Sequence, residues 1–169
     1  LDSIYLDIDY MERYKDFTVD QERFPDLKGL VAEMKDQGIH LVPIIDAGVK
    51  IERGYAVYEE GVKKNYFCKN AEGGNFVGAV WPGRVHFPDF LQPEARNWFG
   101  KKYAVLTEQG IDGFWNDMNE PAIFYTEDRL ADTCAEIEKL TAGNMGIDEY
   151  FAFTGMVAGL NGNIGDYDK

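Results

Sequence analysis

Apolar positions recur along this chain of 169 residues with a helical period that gives way twice to short buried runs. In "FPDLKGLVAEMKDQG" (24–38), Leu27, Leu30, Val31 and Met34 stand at i, i+3, i+4 and i+7, which lines four apolar side chains along one helix face. Gly38 ends that helix, because glycine adopts the left-handed closing conformation without steric cost. The run "IHLVPIID" (39–46) then predicts a buried strand. A second segment repeats the plan: Phe87-Pro88-Asp89, a helix opened near Pro93 with Trp98, Val105 and Leu106 on its apolar face, Gly110 as terminator, and the strand "GIDGFWND" (110–117). The opening "SIYLDID" (3–9) is a third strand of the same kind.

Strands that alternate with helices pair in parallel through right-handed crossovers, as in a doubly wound sheet or a (β/α)8 barrel. No glycine-rich phosphate loop follows any of the three strands, which counts against the nucleotide-binding doubly wound sheet. Side-chain parity favours the barrel. Ile4, Leu6 and Ile8 point toward covering helices and Tyr5, Asp7 and Asp9 point inward; Val42, Ile44 and Asp46 share one inward face, and Gly113, Trp115 and Asp117 another. Each strand thus delivers acid to its C-terminal end, where barrel enzymes assemble their active sites. The fold class expected is α/β, a partial (β/α)8 TIM barrel of about three to four βα units, with residues 1–169 one segment of that barrel.

Residues 49–86 form a long insert after the second visible strand. Within it "NYFCK" and "NFVGAVW" flank Glu72-Gly73-Gly74 and predict a hairpin. Beyond Pro121, whose ring stops the third strand, residues 127–160 read as helices, with Leu130, Cys134, Ile137 and Leu140 on one face. The chain starts inside an apolar run without an initiating Met, so it is read as a piece of a longer protein whose remainder completes the barrel.

Charge and composition remove several function classes. Acids outnumber bases 30 to 17, a net charge of −13, which is the wrong sign for nucleic acid. No stretch has the length and apolarity of a membrane span, and no charged start followed by an apolar run of signal-peptide length is seen in these residues; Cys68 and Cys134 lack a CxxC spacing and are taken as two reduced, buried thiols. A soluble, cytoplasmic protein is expected. Ser3 is the only serine, so no serine nucleophile exists in this segment, and His40 and His86 are assigned structural roles. Asp7, Asp9 and Glu12 lack the glycine and late glutamate of a calcium loop, and "NGNIGD" (161–166) misplaces its glycine. No metal and no cofactor are expected, the alternative being a metal held where Asp7, Asp46 and Asp117 meet.

Carboxylates beside aromatic rings suit sugar chemistry: rings stack on apolar sugar faces, and paired carboxyl groups cleave glycosidic bonds. Trp115 is read as barrel core and Trp81, before a proline on the insert, as a sugar platform. Asp9 and Asp46 serve either the site or a structural balance with Lys50, Arg53 or Arg13. Asn116 and Asn119 flank Asp117 and are expected to hold its carboxylate in place.

"GFWNDMNEPA" (113–122) resembles the signature of glycoside hydrolase family 31, the retaining α-glucosidases. The resemblance extends to "LDIDYMERYKDFTVD", "LVPIIDAG" and "VWPGRVHFPDF", and covers nearly everything from Tyr5 to Pro121. It implies hydrolysis of terminal α-linked glucose from an α-gluco-oligosaccharide by double displacement, with Asp117 as nucleophile. Glu120 joins the catalytic set as a supporting hydrogen-bond partner. Asp7 grips sugar hydroxyls, with Ile8 beside it; Ile44 matches a pocket wall, Trp81 an aromatic floor and Met118 a lining position. The family's acid/base is a second Asp on a later strand, and nothing after Pro121 matches it, so it is expected beyond Lys169. Two alternatives accompany this reading: an α-xylosidase of the same family and a catalytically silent sugar-binding relative.

Overall fold

Three parallel strands carry the architecture of the computed structural model, which describes residues 1–120, 122–142 and 146–160. In chain order they are β1 (Ser3–Leu6), β2 (His40–Asp46) and, after the insert, β6 (Trp115–Asp117), paired in the order β1-β2-β6. Helix α1 (Leu27–Asp36) connects the first two, and α3 (Pro93–Lys102) with α4 (Ala104–Thr107) leads into the third. This is the arc of parallel strands and crossover helices that the hydrophobic pattern predicts, with too few strands to close a barrel.

Alternation sorts the two faces of the arc. Leu41 and Ile45 of β2 are 3% and 2% exposed, under a core that includes Leu27 and Val31 of α1 and Trp98, Phe99 and Leu106 of α3 and α4. The other face carries Tyr5, Val42, Ile44 and Trp115, and the Tyr5 and Trp115 rings meet edge-on at 6.1 Å. The α1 end signals follow their chemistry: the Gly29 N–H donates to Asp26 Oδ1 at 2.8 Å, and Gly38 takes a φ of +73° just after the helix.

Four expectations need correction. Val105 is 43% exposed while Leu106 is fully buried, because the helix breaks at Tyr103 into i, i+3 turns and shifts the phase of the apolar stripe. The first strand ends at Leu6, and Ile8–Tyr10 turns as a 3₁₀ helix, so parity no longer places Asp9. Cys134 is exposed and only Cys68 is partly buried. Around Glu72-Gly73-Gly74 the structure has the turn, with Gly73 at φ +83°, but only the isolated bridge Lys69↔Asn75 joins the two arms in place of a ladder, and Phe67 bridges Pro88 instead.

Regular pairing in the insert lies elsewhere. Strands β3 (Val49–Lys50), β4 (Gly78–Val80), β5 (Gly83–His86) and β7 (Tyr125–Thr126) form an antiparallel sheet in the order β3-β5-β4-β7. Helix α2 (Ala56–Lys64) lies between β3 and β4 and packs Gly61 against the Phe67 ring. His86 is buried there; its Nδ1–H donates to the Phe76 carbonyl at 2.7 Å, and burial holds its imidazole below the usual range, in keeping with a structural role. His40 begins β2 and lies 3.2 Å from Asp112, also structural.

Helices α5 (Glu127–Thr141) and α6 (Ile147–Leu160) follow. On α5, Leu130 and Cys134 are exposed and Ile137 and Leu140 half-buried. Pro121 and the "NGNIGD" stretch lie outside the described residues. Among the described residues, no helix is long and apolar enough to cross a membrane.

Candidate active site

The C-terminal ends of the three parallel strands deliver three carboxylates to one place. Register pairs Ile44 with Trp115 and Asp46 with Asp117, so the two acids are neighbours on the face away from the helices. Asp7 follows the last residue of β1 and caps the 3₁₀ turn, its Oδ1 accepting the Ile8 N–H at 2.7 Å. The Asp46 carboxyl is pushed up to about 6, first by burial, then by the charges of Asp117 and Asp7. Among the described residues, no group of three His, Cys, Asp or Glu side chains is placed to hold a metal ion.

Asp117 is held by its own chain. Met118 takes a left-handed φ of +55°, and its N–H donates to Asp117 Oδ1 at 2.9 Å. A non-glycine residue in that region costs on the order of 1–3 kcal/mol and persists only where its surroundings demand it. Here Met118 packs against the cluster of Val80, Val85, Phe87 and Ile123, so that small core, shared by the insert and the chain after it, fixes the turn after Asp117. The flanking amides do not share this task as expected. Asn116 alternates to the opposite face, where Tyr103 Oη donates to its Oδ1 at 2.5 Å, and Asn119 makes no hydrogen bond to Asp117.

A cavity of about 300 Å³ opens beside these ends, bounded by Asp46, Asp117 and Asn119 and by Phe90, Phe99 and Tyr103. Trp81 does not line it. That residue sits at the turn between β4 and β5, 51% exposed and edge-on to Phe124 at 5.0 Å. It borders a separate groove of about 500 Å³ shared with Asp9, Arg13, Tyr14 and Arg23. Ile8 packs against the main core, and Ile44 is 2% exposed, its carbonyl accepting the Tyr10 hydroxyl at 2.9 Å. Glu120 is exposed. The structure therefore gathers Asp7, Asp46 and Asp117, places Met118 and Ile44 beside them, and leaves Trp81 and Glu120 at the periphery.

The rim cations do not balance the acids in the way the sequence suggests. Arg13, Lys15 and Lys50 all converge on Glu52, at 2.6, 3.3 and 3.1 Å, while Asp9 pairs with Arg23 at 3.2 Å. Asp46 has a different neighbour, which the sequence reading missed: Asp16, 1% exposed, accepts the Asp46 N–H on Oδ1 at 3.0 Å. Three acids share "ERYKDFTVD" with no periodic signal to single out Asp16, and left-handed φ values at Arg13, Tyr14 and Phe17, which bring it inward, are not readable from residue type.

Residues 1–154 match the model of the glycosyl hydrolases family 31 TIM-barrel domain. The chain is 52% identical over 124 residues to Alpha-glucosidase 2 of Bacillus thermoamyloliquefaciens, an alignment covering 73% of this chain and 16% of that protein. A family 31 α-glucosidase structure from Bacteroides thetaiotaomicron superposes with a TM-score of 0.67 at 41% identity, over 72% of this chain and 21% of the other. A family 31 α-xylosidase from a soil metagenome, complexed with xylose, gives 0.65 at 26% identity, over 73% and 18%. The chain thus spans about a fifth or less of the length of these relatives.

Proposed function

Because this chain belongs to glycoside hydrolase family 31, we propose that the protein containing it hydrolyses terminal α-linked glucose from oligosaccharides, with retention, through a covalent intermediate on Asp117. The observation that carries this reading is the register of Asp46 and Asp117 at the ends of neighbouring parallel strands, with Asp7 close by. In the first step a carboxylate oxygen of Asp117 bonds to the anomeric carbon as the glycosidic C–O bond breaks, and the departing oxygen takes a proton from a second carboxylic acid. In the second step that group, now a base, removes a proton from water as the water oxygen bonds to the anomeric carbon and displaces Asp117, which restores the proton donor as an acid and Asp117 as a carboxylate. Retaining enzymes hold the two carboxyl groups about 5 to 5.5 Å apart.

The proton donor belongs, in this reading, to the rest of the protein, which also supplies the strands that close the barrel around residues 1–169 and leave 49–86 as an insert. Asp7 takes hydroxyls of the bound sugar, with Ile8, Ile44, Met118 and Trp81 shaping its surroundings and Glu120 supporting from the rim. Two free cysteines are compatible with a cytoplasmic site of action.

Likeness to the family 31 α-xylosidase makes α-xylosides the second reading. The full-length protein should cleave an aryl α-glucoside at least about tenfold more efficiently than the aryl α-xyloside, a difference of about 1.4 kcal/mol in transition-state binding. The reverse preference would assign it to xylosides, and binding without turnover of either would make it a silent relative.

A further inference from the structure

Asp16 is a buried acid that no cation pairs with among the described residues. Its Oδ1 accepts the Asp46 N–H at 3.0 Å, but its Oδ2 is buried with no partner among the described residues, and so is Asp46 Oδ1. The adjacent cation is committed elsewhere, since Lys15 Nζ lies 3.0 Å from Glu12 and 3.3 Å from Glu52. The tyrosines around Asp16 spend their hydroxyls on other acceptors: Tyr55 donates to the Asp16 main-chain carbonyl at 2.8 Å, Tyr10 to Ile44 at 2.9 Å and Tyr103 to Asn116 at 2.5 Å. An ionised carboxylate buried without a counter-charge or donors is costly, and two neighbouring buried carboxyl groups do not both ionise.

The surrounding segment is built to hold this arrangement. Arg13, Tyr14 and Phe17 have φ values of 52°, 61° and 60°, each a local cost of on the order of 1–3 kcal/mol. The loop is locked by the Asp20 N–H to the Tyr10 carbonyl at 2.8 Å, by the Thr18 hydroxyl to the Lys15 carbonyl at 2.6 Å, and by Phe17 edge-on to Phe99 and Tyr103 at 4.9 and 5.2 Å. Strain concentrated around one buried acid, itself bonded to the end of a strand bearing a site carboxylate, points to a task for that acid.

We propose that Asp16 is a positioning residue: a protonated carboxylic acid whose Oδ1 accepts the Asp46 N–H and so holds the end of β2, keeping the Asp46 carboxylate beside Asp117. Its effect on turnover rests on the glycosidase reading above; its protonation does not. The groups facing the pair are Tyr10, Tyr55 and Tyr103 around Asp16, and Asp7, Asp117 and Tyr10 around Asp46. Burial, then the charge of Asp46, pushes the Asp16 carboxyl well above its ordinary range, in line with a proton on its buried, unpartnered Oδ2.

The test compares Asp16→Asn and Asp16→Ala with wild type in the full-length protein, by infrared spectroscopy of the carboxylic acid carbonyl and by kinetics on an aryl α-glucoside. Wild type at neutral pH should show a protonated buried carboxyl band that disappears in both variants. Asparagine keeps the Oδ1 acceptor and offers an N–H in place of the acid proton, so kcat/KM should fall only about threefold in Asp16→Asn and about 30-fold in Asp16→Ala. A wild-type spectrum without the band, or a band that survives in Asp16→Asn, overturns the protonation. Equal losses in two folded variants overturn the positioning role; if the alanine variant fails to fold, a loss of about 30-fold or more in folded Asp16→Asn does so. A band lost on substitution in a protein that cleaves no α-glucoside would sink the α-glucosidase reading while leaving the proton on Asp16.

Discussion

Asp46 and Asp117 are register partners on adjacent parallel strands, two acids side by side at the ends of β2 and β6. No cation pairs with either among the described residues, and burial first, then the charges of Asp117 and Asp7, push the Asp46 carboxyl from its ordinary 3.8 to about 6. Such crowding of like charge, left unrelieved, is a feature of sites that must present a carboxylate to something other than a protein cation.

The raised carboxyl carries a stability signature. The folded protein binds the Asp46 proton more tightly than the unfolded chain, so this acid favours folding most below pH about 4, and that contribution is lost as pH rises through about 6. The shift from 3.8 to about 6 corresponds to on the order of 3 kcal/mol. Asp46→Asn should flatten the fall in stability between those limits in urea unfolding of the full-length protein. A variant with the wild-type slope would show that Asp46 is not the group responsible.

Gly61→Ala should destabilise despite better helix propensity. A methyl at this position of α2 would come within 2.6 Å of Phe67 Cε2, and Phe67 is fully buried against Trp98 and His86. Alanine gains about 1 kcal/mol of propensity, whereas overpacking a core costs about 1–3 kcal/mol. A net loss of about 1 kcal/mol, seen as a lower Tm, is expected, and a higher Tm would mean that the ring has room to move.

Trp81→Ala and Asp7→Ala should separate in their kinetics on an aryl α-glucoside. Trp81 is half exposed at a hairpin turn, so its loss removes apolar area and should raise KM about tenfold with little change in kcat. Asp7 sits with the other two acids and takes hydroxyls whose bonds tighten as the sugar ring flattens, so kcat should fall as well. Unchanged kinetics in both variants would remove these residues from the sugar site.

What the sequence made legible follows the strength of its periodic signals. Leu27 and Val31 at helical spacing, alternation through β2 and acids at three strand ends placed the arc and its carboxylates before any coordinates. Short or irregular features were opaque. The paired hairpin turns through Trp81-Pro82-Gly83, a Pro-Gly signal at the end of a stretch read as one strand, whereas the Glu72-Gly73-Gly74 turn, although rich in turn residues, carries only the Lys69↔Asn75 bridge. The hold on Asp117 comes from the Met118 backbone and not from the adjacent amides, because strand alternation sends Asn116 to the far face. Asp16 was invisible for a related reason: three left-handed residues of ordinary type turn a polar stretch inward, and residue type says nothing of it.

Covalent trapping tests the central assignment most directly. A 2- or 5-fluoro glycosyl fluoride slows hydrolysis of the intermediate, so the full-length protein should accumulate one glycosyl ester per active site. Peptide mapping should place that ester on Asp117, and Asp117→Asn should lower kcat by about 10³-fold or more while leaving Tm unchanged. A label on Asp7, Asp46 or Glu120, or an unlabelled protein with normal turnover in Asp117→Asn, would contradict the account.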